Sequence, residues 1–183
     1  IYMSNRLPNE AAEAFKRTNT PVVLAGTKDN RDEFASVTID YKKADTEALN
    51  LLMHDGKKNL ALVVGDEDAV VNGENRIPAY KDFIKENNLG EPHVYTGVKD
   101  YSDGYNLYPQ LVKDGIDGVI VTRDISSVGI LNSAMDAGKK IPEDLEIVTA
   151  SATQLASVVR PALTTIKQPL YDMGAVAMRM LTK

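Results

Sequence analysis

Residues 160–183 have the sequence RPALTTIKQPLYDMGAVAMRMLTK, which combines a β-rich run, a proline break and a helical pattern. Its β-rich run LTTI, at 163–166, predicts a short strand. Pro169 ends that run, because proline has no amide hydrogen to donate and biases the residue before it to an extended conformation. A helix is predicted directly after the break, since proline is tolerated in the first turn of a helix.

The predicted helix after Pro169 has two different faces. Apolar side chains recur on one face at helical spacing and predict a stripe against the core: Met173, Val176, Ala177, Met180 and Leu181. On another face, Tyr171, Arg179 and Lys183 follow one another at multiples of four residues and form a line along the helix. Two cations with a tyrosine two turns earlier suit a phosphate held against an aromatic surface. The alternative is that the cations only complement the helix dipole.

Composition limits the classes of protein to be considered. The 183 residues are 43% hydrophobic, enough for one domain or two small lobes. With a formal net charge of −5, the surface taken as a whole does not attract nucleic acid. The cysteine count of 0 is typical of proteins in the reducing cytoplasm, where we expect this protein. No apolar run reaches the roughly 20 residues that a membrane span needs. The chain starts in an apolar run without an initiator methionine and stops inside a helical pattern, so we expect a fragment of a longer protein.

Buried-strand patterns alternate with helical patterns through the preceding 160 residues. Strands are predicted at 21–26, 35–39, 59–65, 93–95, 118–122 and 145–149, with helices at 8–18, 41–56, 75–87, 103–113 and 124–137. We expect Pro109 to break or kink its helix and Asp124 to cap the helix that follows it. The alternation predicts an α/β protein with mostly parallel sheets flanked by helices. In such sheets ligands bind beyond the carboxyl ends of the strands.

Residues 161–183 resemble the lactose-repressor/galactose-repressor family of bacterial transcription regulators. The resemblance is carried by PALTTI at 161–166, by QP at 168–169, and by YDMGAVAMR with LTK at 171–183. The last run is similar to a branch of the family whose members bind the phosphocarrier protein HPr in its serine-phosphorylated form. The resemblance implies that the partner contacts Tyr171, Asp172, Val176, Arg179 and Lys183, with Arg179 and Lys183 near the phosphoserine.

The resemblance extends over nearly the whole chain and implies a two-lobed periplasmic-binding-protein-like fold. Residues 1–40 and 169–183 would belong to the amino-terminal lobe, and 41–168 would form the carboxyl-terminal lobe. A helix-turn-helix DNA-binding domain would lie outside this chain. The implied function is a homodimeric regulator of carbon catabolite repression and activation, which binds operator DNA and is controlled by phosphorylated HPr.

The resemblance also implies an effector cleft, in which this sequence departs from the family. Arg76 stands where family members contact effector, although a purely structural arginine is an equal alternative. Asp124 is kept from an Asn-Asp pair, with Arg123 replacing the asparagine. Ser151 replaces the aspartate that holds sugar hydroxyls in the family. The charge-assisted hydrogen bond that this aspartate would make, worth roughly 1.5–3 kcal/mol of binding free energy, is therefore missing. We therefore predict no tight sugar binding, with a phosphorylated sugar on Arg76 and Arg123 as a remaining candidate.

No set of residues indicates catalysis. His54 and His93 lack metal-ligand spacing, and there is no nucleophile elbow, P-loop or dinucleotide-binding glycine motif. Three acids at 66–68 suit a hard cation, but a solvated loop is the commoner explanation, so neither metal nor cofactor is predicted. The alternative to a phosphoprotein-controlled regulator is a sugar-responsive repressor, or a solute receptor that clamps a sugar between the lobes.

Overall fold

The computed structural model describes residues 1–4, 6–29, 31–65 and 71–182. The strands are β1 (Tyr2–Met3), β2 (Val23–Ala25), β3 (Ala35–Val37), β4 (Leu60–Val63), β5 (His93–Tyr95), β6 (Gly118–Val121), β7 (Glu146–Thr149) and β8 (Thr164–Thr165). The helices are α1 (Asn9–Thr18), α2 (Tyr41–His54), α3 (Ile77–Glu86), α4 (Tyr101–Lys113), α5 (Asp124–Asp136), α6 (Gln154–Val158) and α7 (Leu170–Leu181). A π-helical segment, Val71–Arg76, leads into α3.

The described residues form two compact units, and the chain passes between them after Asp40 and again after Gln168. The first unit contains 1–40 and 169–182 together with Val71, and the second contains 41–65 and 72–168. Both units are built from parallel strands and helices, as the alternating pattern predicted. Within the part of the chain that the structure covers, every helix is too short or too polar to cross a lipid bilayer.

The first unit has a three-stranded parallel sheet in the order β1-β2-β3. Helix α7 packs against β2 and β3, burying Met173 and Ala177, which the predicted stripe contained. Val176 is half-buried, whereas Met180 is 40% exposed, so its assignment to the core was wrong. Leu181, in the last turn, is half-buried, so α7 is fully covered at Met173 and Ala177 and only partly covered towards its end.

The second unit has five parallel strands in the order β5-β4-β6-β7-β8. Strands β4, β6 and β7 are buried along their full length because helices cover both faces of the sheet, as in most all-parallel sheets. Alternate residues enter two separate cores: Val63 and Val121 face one, while Leu62 and Ile120 face the other. The carboxyl ends of these strands therefore emerge together at one edge of the sheet.

Three details of the second unit differ from the sequence prediction. Helix α4 continues through Pro109, since a reciprocal cap between Asp100 and Asp103 fixes its start and α5 packs along it. Arg123, not Asp124, occupies the N-cap position of α5. The short helix α6 was not predicted, because its five residues span too little of a helical period to show one.

Candidate functional site

The outward face of α7 carries the residues predicted to contact a phosphorylated partner. Tyr171 is 88% exposed, the highest value among the large exposed apolar side chains of the described residues. Asp172 and Arg179 are also exposed, and Val176 is half-buried at the border with the core. The fifth predicted residue, Lys183, lies outside the described residues. The helix thus presents an aromatic ring, a carboxylate and a guanidinium on one solvent-facing surface.

The charge of Arg179 is not neutralised within the described residues. Its Nε donates to the carbonyl oxygen of Ala175 at 3.4 Å, and no carboxylate of residues 1–4, 6–29, 31–65 or 71–182 lies within ion-pair distance. Elsewhere in the same unit, by contrast, Lys16 pairs with Glu33 at 2.6 Å, and Arg31 pairs with Asp29 at 3.3 Å. The donors of Arg179 thus remain available for an external anion such as a phosphate.

Apolar side chains that the sequence did not single out extend this surface. Leu170 is 55% exposed and Met178 is 52% exposed. Between Tyr171 and Met178 lies Gly174, where an added Cβ would meet no side chain and no other element of the described residues within 4 Å. Helical spacing alone does not reveal such residues, since a methionine or leucine in a helix is as compatible with the core as with a docking surface.

Asp124 lies at the carboxyl edge of the second unit's sheet, with all its hydrogen-bonding capacity directed to its own chain. Its side chain is buried, and Oδ1 accepts from the Thr149 hydroxyl and from the Ser151 amide at 3.3 Å. Oδ2 accepts from both the amide and the hydroxyl of Thr153, each at 2.6 Å. The carboxylate therefore fixes the segment that follows β7.

Ser151 and Arg123 lie at the same edge of the sheet, but only the Ser151 side chain is hydrogen-bonded within the described residues. The Ser151 hydroxyl donates to the carbonyl oxygen of Thr122 at 2.9 Å. The exposed Arg123 side chain crosses Gly65, where a Cβ would come within 2.7 Å of its Cδ. No hydrogen bond or ion pair engages the Arg123 guanidinium within residues 1–4, 6–29, 31–65 and 71–182. Among the predicted cleft residues, Arg123 is thus the one whose polar atoms still face outward.

Arg76 is buried within the second unit. Its Nη2 lies 3.5 Å from Oδ1 of Asp45, and its guanidinium lies 4.7 Å from the ring centre of Tyr41. Burial raises the pKa of Asp45 to about 6, and the nearby Arg76 opposes that shift. Both carboxylate oxygens and the Arg76 Nε lack a hydrogen-bond partner among the described residues. This environment favours the structural interpretation of Arg76, and its contact with an effector stays a prediction.

Comparison with known proteins shows that this chain is similar to transcription regulators. Residues 49–183 match the family model described as periplasmic binding protein-like domain. The chain is 70% identical over 183 residues to the HTH-type transcriptional regulator pepR1 of Lactobacillus delbrueckii subsp. lactis. It is 40% identical over 185 residues to catabolite control protein A of Streptococcus mutans. Each match covers 100% of this chain and 55% of the relative, so the chain spans about half the length of these curated relatives.

A solved structure agrees with this placement. The crystal structure of the transcription regulator CcpA of Lactococcus lactis matches with a TM-score of 0.88 and 38% identity, covering 100% of this chain and 68% of that chain. These relatives are transcription regulators and not enzymes, in agreement with the sequence, in which no catalytic set was found. The chain belongs to the periplasmic binding protein-like domain family and is a CcpA-like effector-binding core of the lactose-repressor (LacI) family.

Proposed function

We propose that the full-length protein is a DNA-binding regulator of carbon catabolite control whose corepressor is serine-phosphorylated HPr. The observation that carries this proposal is the uncovered outward face of α7, where Arg179 has no ion pair within the described residues and Tyr171 is 88% exposed. The name catabolite control protein A, borne by several relatives at 34–40% identity, supports the same regulatory class.

The chemistry of that face suits a phosphoserine beside an apolar contact. A guanidinium offers paired N–H donors that match phosphate oxygens, and it keeps its charge throughout the physiological pH range. Lys183, four residues after Arg179, is the proposed second cation. Tyr171 and Val176 supply apolar area beside the charges, and Asp172 repels partner surfaces that carry negative charge at its end of the helix.

The proposed mechanism is a change in the arrangement of two lobes. Residues 1–40 and 169–183 form the amino-terminal lobe in this proposal, and 41–168 form the carboxyl-terminal lobe. The partner shifts the equilibrium towards the arrangement that it binds more tightly, since a ligand acts only through its differential affinity for two states. In a homodimer, that arrangement would position the DNA-binding domains on the operator.

We also propose that the carboxyl edge of the second unit does not bind neutral sugars tightly. Asp124 and Ser151 already make hydrogen bonds within the chain, so a sugar hydroxyl would have to displace them. The outward-facing Arg123 favours an anionic ligand, such as a phosphorylated sugar. Titration calorimetry with hexoses and hexose phosphates tests this, and micromolar affinity for an uncharged hexose would contradict it.

Surface plasmon resonance of the full-length protein against HPr, with and without its serine phosphate, tests the proposed corepressor. We expect binding to the phosphorylated form and at least tenfold weaker binding to the unphosphorylated form, equivalent to about 1.4 kcal/mol. HPr with alanine in place of that serine, treated with the same kinase, is the control. Equal binding of both forms, or binding of neither, would contradict the proposal.

A further inference from the structure

Three buried polar atoms without a hydrogen-bond partner are concentrated on the pair Asp45 and Arg76. They are both carboxylate oxygens of Asp45 and the Nε of Arg76, and the hydroxyl of Thr27 is the fourth such atom in the described residues. Asp45 and Arg76 are 1% and 2% exposed, so bulk water does not reach these atoms. Because nearly all buried polar groups in folded proteins are hydrogen-bonded, three exceptions on one pair indicate a strained contact.

The contact between the two charges is too long to compensate for their burial. The Nη2 of Arg76 lies 3.5 Å from Oδ1 of Asp45, whereas charge-assisted hydrogen bonds of this kind are about 2.7–2.9 Å long. A buried ion pair compensates for lost hydration only where its geometry is good and further hydrogen bonds satisfy both groups. Burial accordingly raises the pKa of Asp45 to about 6, so its ionised and neutral forms interconvert near neutral pH.

Arg76 is the charged group that acts on Asp45 within the described residues. The other titratable group beside the pair is Tyr41 on α2, whose ring centre is 4.7 Å from the Arg76 guanidinium. Burial raises the pKa of Tyr41 above its ordinary value, so this side chain stays neutral while Asp45 titrates. Helix α2 also packs against α3 and β6, whose buried residues carry no charge near neutral pH. Protonation of Asp45 therefore leaves the buried Arg76 without a counter-charge.

Arg76 is also the last residue of the π-helical segment Val71–Arg76 and the N-cap of α3. A π-helix pairs each carbonyl with the amide five residues on, whereas an α-helix pairs it with the amide four residues on. Single π-helical turns are rare and occur frequently at functional sites. A shift of this pairing by one residue corresponds to a rotation of about 100° around the helix axis. The orientation of Arg76 is therefore coupled to the pairing of the segment.

We propose that Asp45 and Arg76 form a proton-linked switch that controls the π-helical segment Val71–Arg76. With Asp45 ionised, the pair holds Arg76 in its buried position and the segment keeps its π-helical pairing. When the Asp45 carboxylate takes up a proton from solvent, the guanidinium turns outward and the segment is released from that pairing. Val71 is grouped with the first unit and Arg76 with the second, so the switch acts where the chain leads from one unit into the other.

Hydrogen exchange and arginine modification of the full-length protein test this switch. At about pH 8, Asp45→Asn, which imitates the neutral carboxyl group, should raise the amide exchange rate of 71–76 about tenfold by releasing the segment. It should also make Arg76 react with phenylglyoxal at a rate close to that of the exposed Arg17. The amides of β4 and β6 should keep their protection, because the change is local. Asp82→Asn, at an exposed position of α3, is the matched control and should change neither readout.

The unaltered protein supplies a second measurement that does not depend on the folding of the variant. At about pH 5, below the pKa of Asp45, its Arg76 should react with phenylglyoxal at a rate similar to that of Arg17, whereas at about pH 8 it should be protected. An unreactive Arg76 at both pH values would overturn the inference. A reactive Arg76 in Asp82→Asn, or a loss of protection in β4 and β6, would overturn it as well, because the change would then be neither specific to Asp45 nor local. None of these readouts involves HPr, so the inference and the proposed function are tested separately.

Discussion

The carboxyl edge of the second unit and the outward face of α7 are both candidate binding surfaces, but their polar groups are in opposite states. At the edge, the buried Asp124 accepts hydrogen bonds from Thr149, Ser151 and Thr153. On α7, Arg179 and Asp172 have no ion pair within the described residues. Buried polar groups that are satisfied internally hold a fold together, whereas exposed and unpaired groups remain available to a partner. The comparison therefore favours a structural role for the first region and supports the proposal that the second binds a partner.

The largest expected effect is on stability, at the carboxyl edge. Asp124→Ala removes a buried carboxylate and leaves the amide and hydroxyl donors of Thr153 without their acceptor. Hydrogen bonds to a charged group are each worth about 1.5–3 kcal/mol, so we expect the free energy of unfolding to fall by about 3–5 kcal/mol. Urea denaturation of the full-length protein, followed by circular dichroism, measures this.

Asp172→Ala is the matched control for Asp124→Ala. It removes the same side chain from an exposed helix position that has no hydrogen-bond or ion-pair partner in the described part of the chain, so the expected change in unfolding free energy is within about 0.5 kcal/mol. Similar losses of unfolding free energy in the two variants would contradict the distinction between the two regions. Conversely, weaker HPr binding by Asp172→Ala at unchanged stability would sharpen it.

The pH dependence of stability tests a third kind of site, the pair Asp45 and Arg76. Both side chains are buried, and each has polar atoms without a hydrogen-bond partner among the described residues. Burial raises the pKa of Asp45 to about 6 from 3.8, so the folded protein holds this proton more tightly than the unfolded chain does. The contribution of Asp45 to stability is therefore fully present below pH 4 and is lost as the pH rises through 6. The expected loss is on the order of 2–3 kcal/mol.

Asp45→Asn isolates this contribution, because asparagine keeps the shape of the side chain but does not titrate. The unfolding free energy of the unaltered protein minus that of Asp45→Asn should decrease between pH 4 and pH 6. A difference that stays constant, or that increases with pH, would show that burial does not raise the pKa of Asp45. The measurement is a series of urea denaturation curves across that pH range.

A smaller effect, on affinity alone, is expected at Tyr171. Because its side chain is 88% exposed, Tyr171→Ala should leave the thermal midpoint unchanged. Loss of a buried aromatic contact at an interface costs about 1–2 kcal/mol, so binding of phosphorylated HPr should weaken roughly tenfold. Surface plasmon resonance measures the affinity, and unchanged binding would remove the aromatic contact from the proposed surface.

The smallest expected change is a gain in stability at the carboxyl edge. Ala152 has a φ of +52°, a left-handed conformation that disfavours a residue with a Cβ. Ala152→Gly should therefore raise the unfolding free energy by about 1 kcal/mol, since glycine adopts this region readily. Ala156→Gly, inside α6, should instead lower it, and a loss of stability in both variants would contradict the argument from backbone strain.

Much of the fold was predictable from the sequence because long apolar runs and helical spacing are strong local signals. The strands at Leu60–Val63 and Gly118–Val121 follow from continuous buried patterns, and α7 follows from its proline and apolar stripe. The exposure of Met180 was not predictable in this way, because spacing places it near Met173 on the helix circumference. Whether the sheet extends far enough to cover it is a tertiary property.

The sequence predicts which residues lie at the candidate sites, but it does not predict whether their polar groups are buried and hydrogen-bonded within the chain. The sequence predicts Asp124 near Ser151, since both follow the ends of parallel strands. It does not show that Thr149 and Thr153 satisfy the carboxylate, because those bonds depend on the path of the loop after β7. Likewise, the burial of Arg76 against Asp45 joins residues 31 positions apart, and no local pattern connects them.

The most direct test of phosphate recognition by α7 is a double-mutant cycle between Arg179 and the serine phosphate of HPr. Arg179→Ala in the full-length protein should weaken binding of phosphorylated HPr about 10–100-fold, equivalent to about 1.4–2.7 kcal/mol, and leave binding of unphosphorylated HPr unchanged. Arg17→Ala is the matched control, because Arg17 is also an exposed helix arginine whose Nε donates to the carbonyl oxygen four residues earlier, at 3.3 Å. It should change neither affinity. Equal losses for both forms of HPr, or the same loss in Arg17→Ala, would contradict the claim that the outward face of α7 recognises the phosphate.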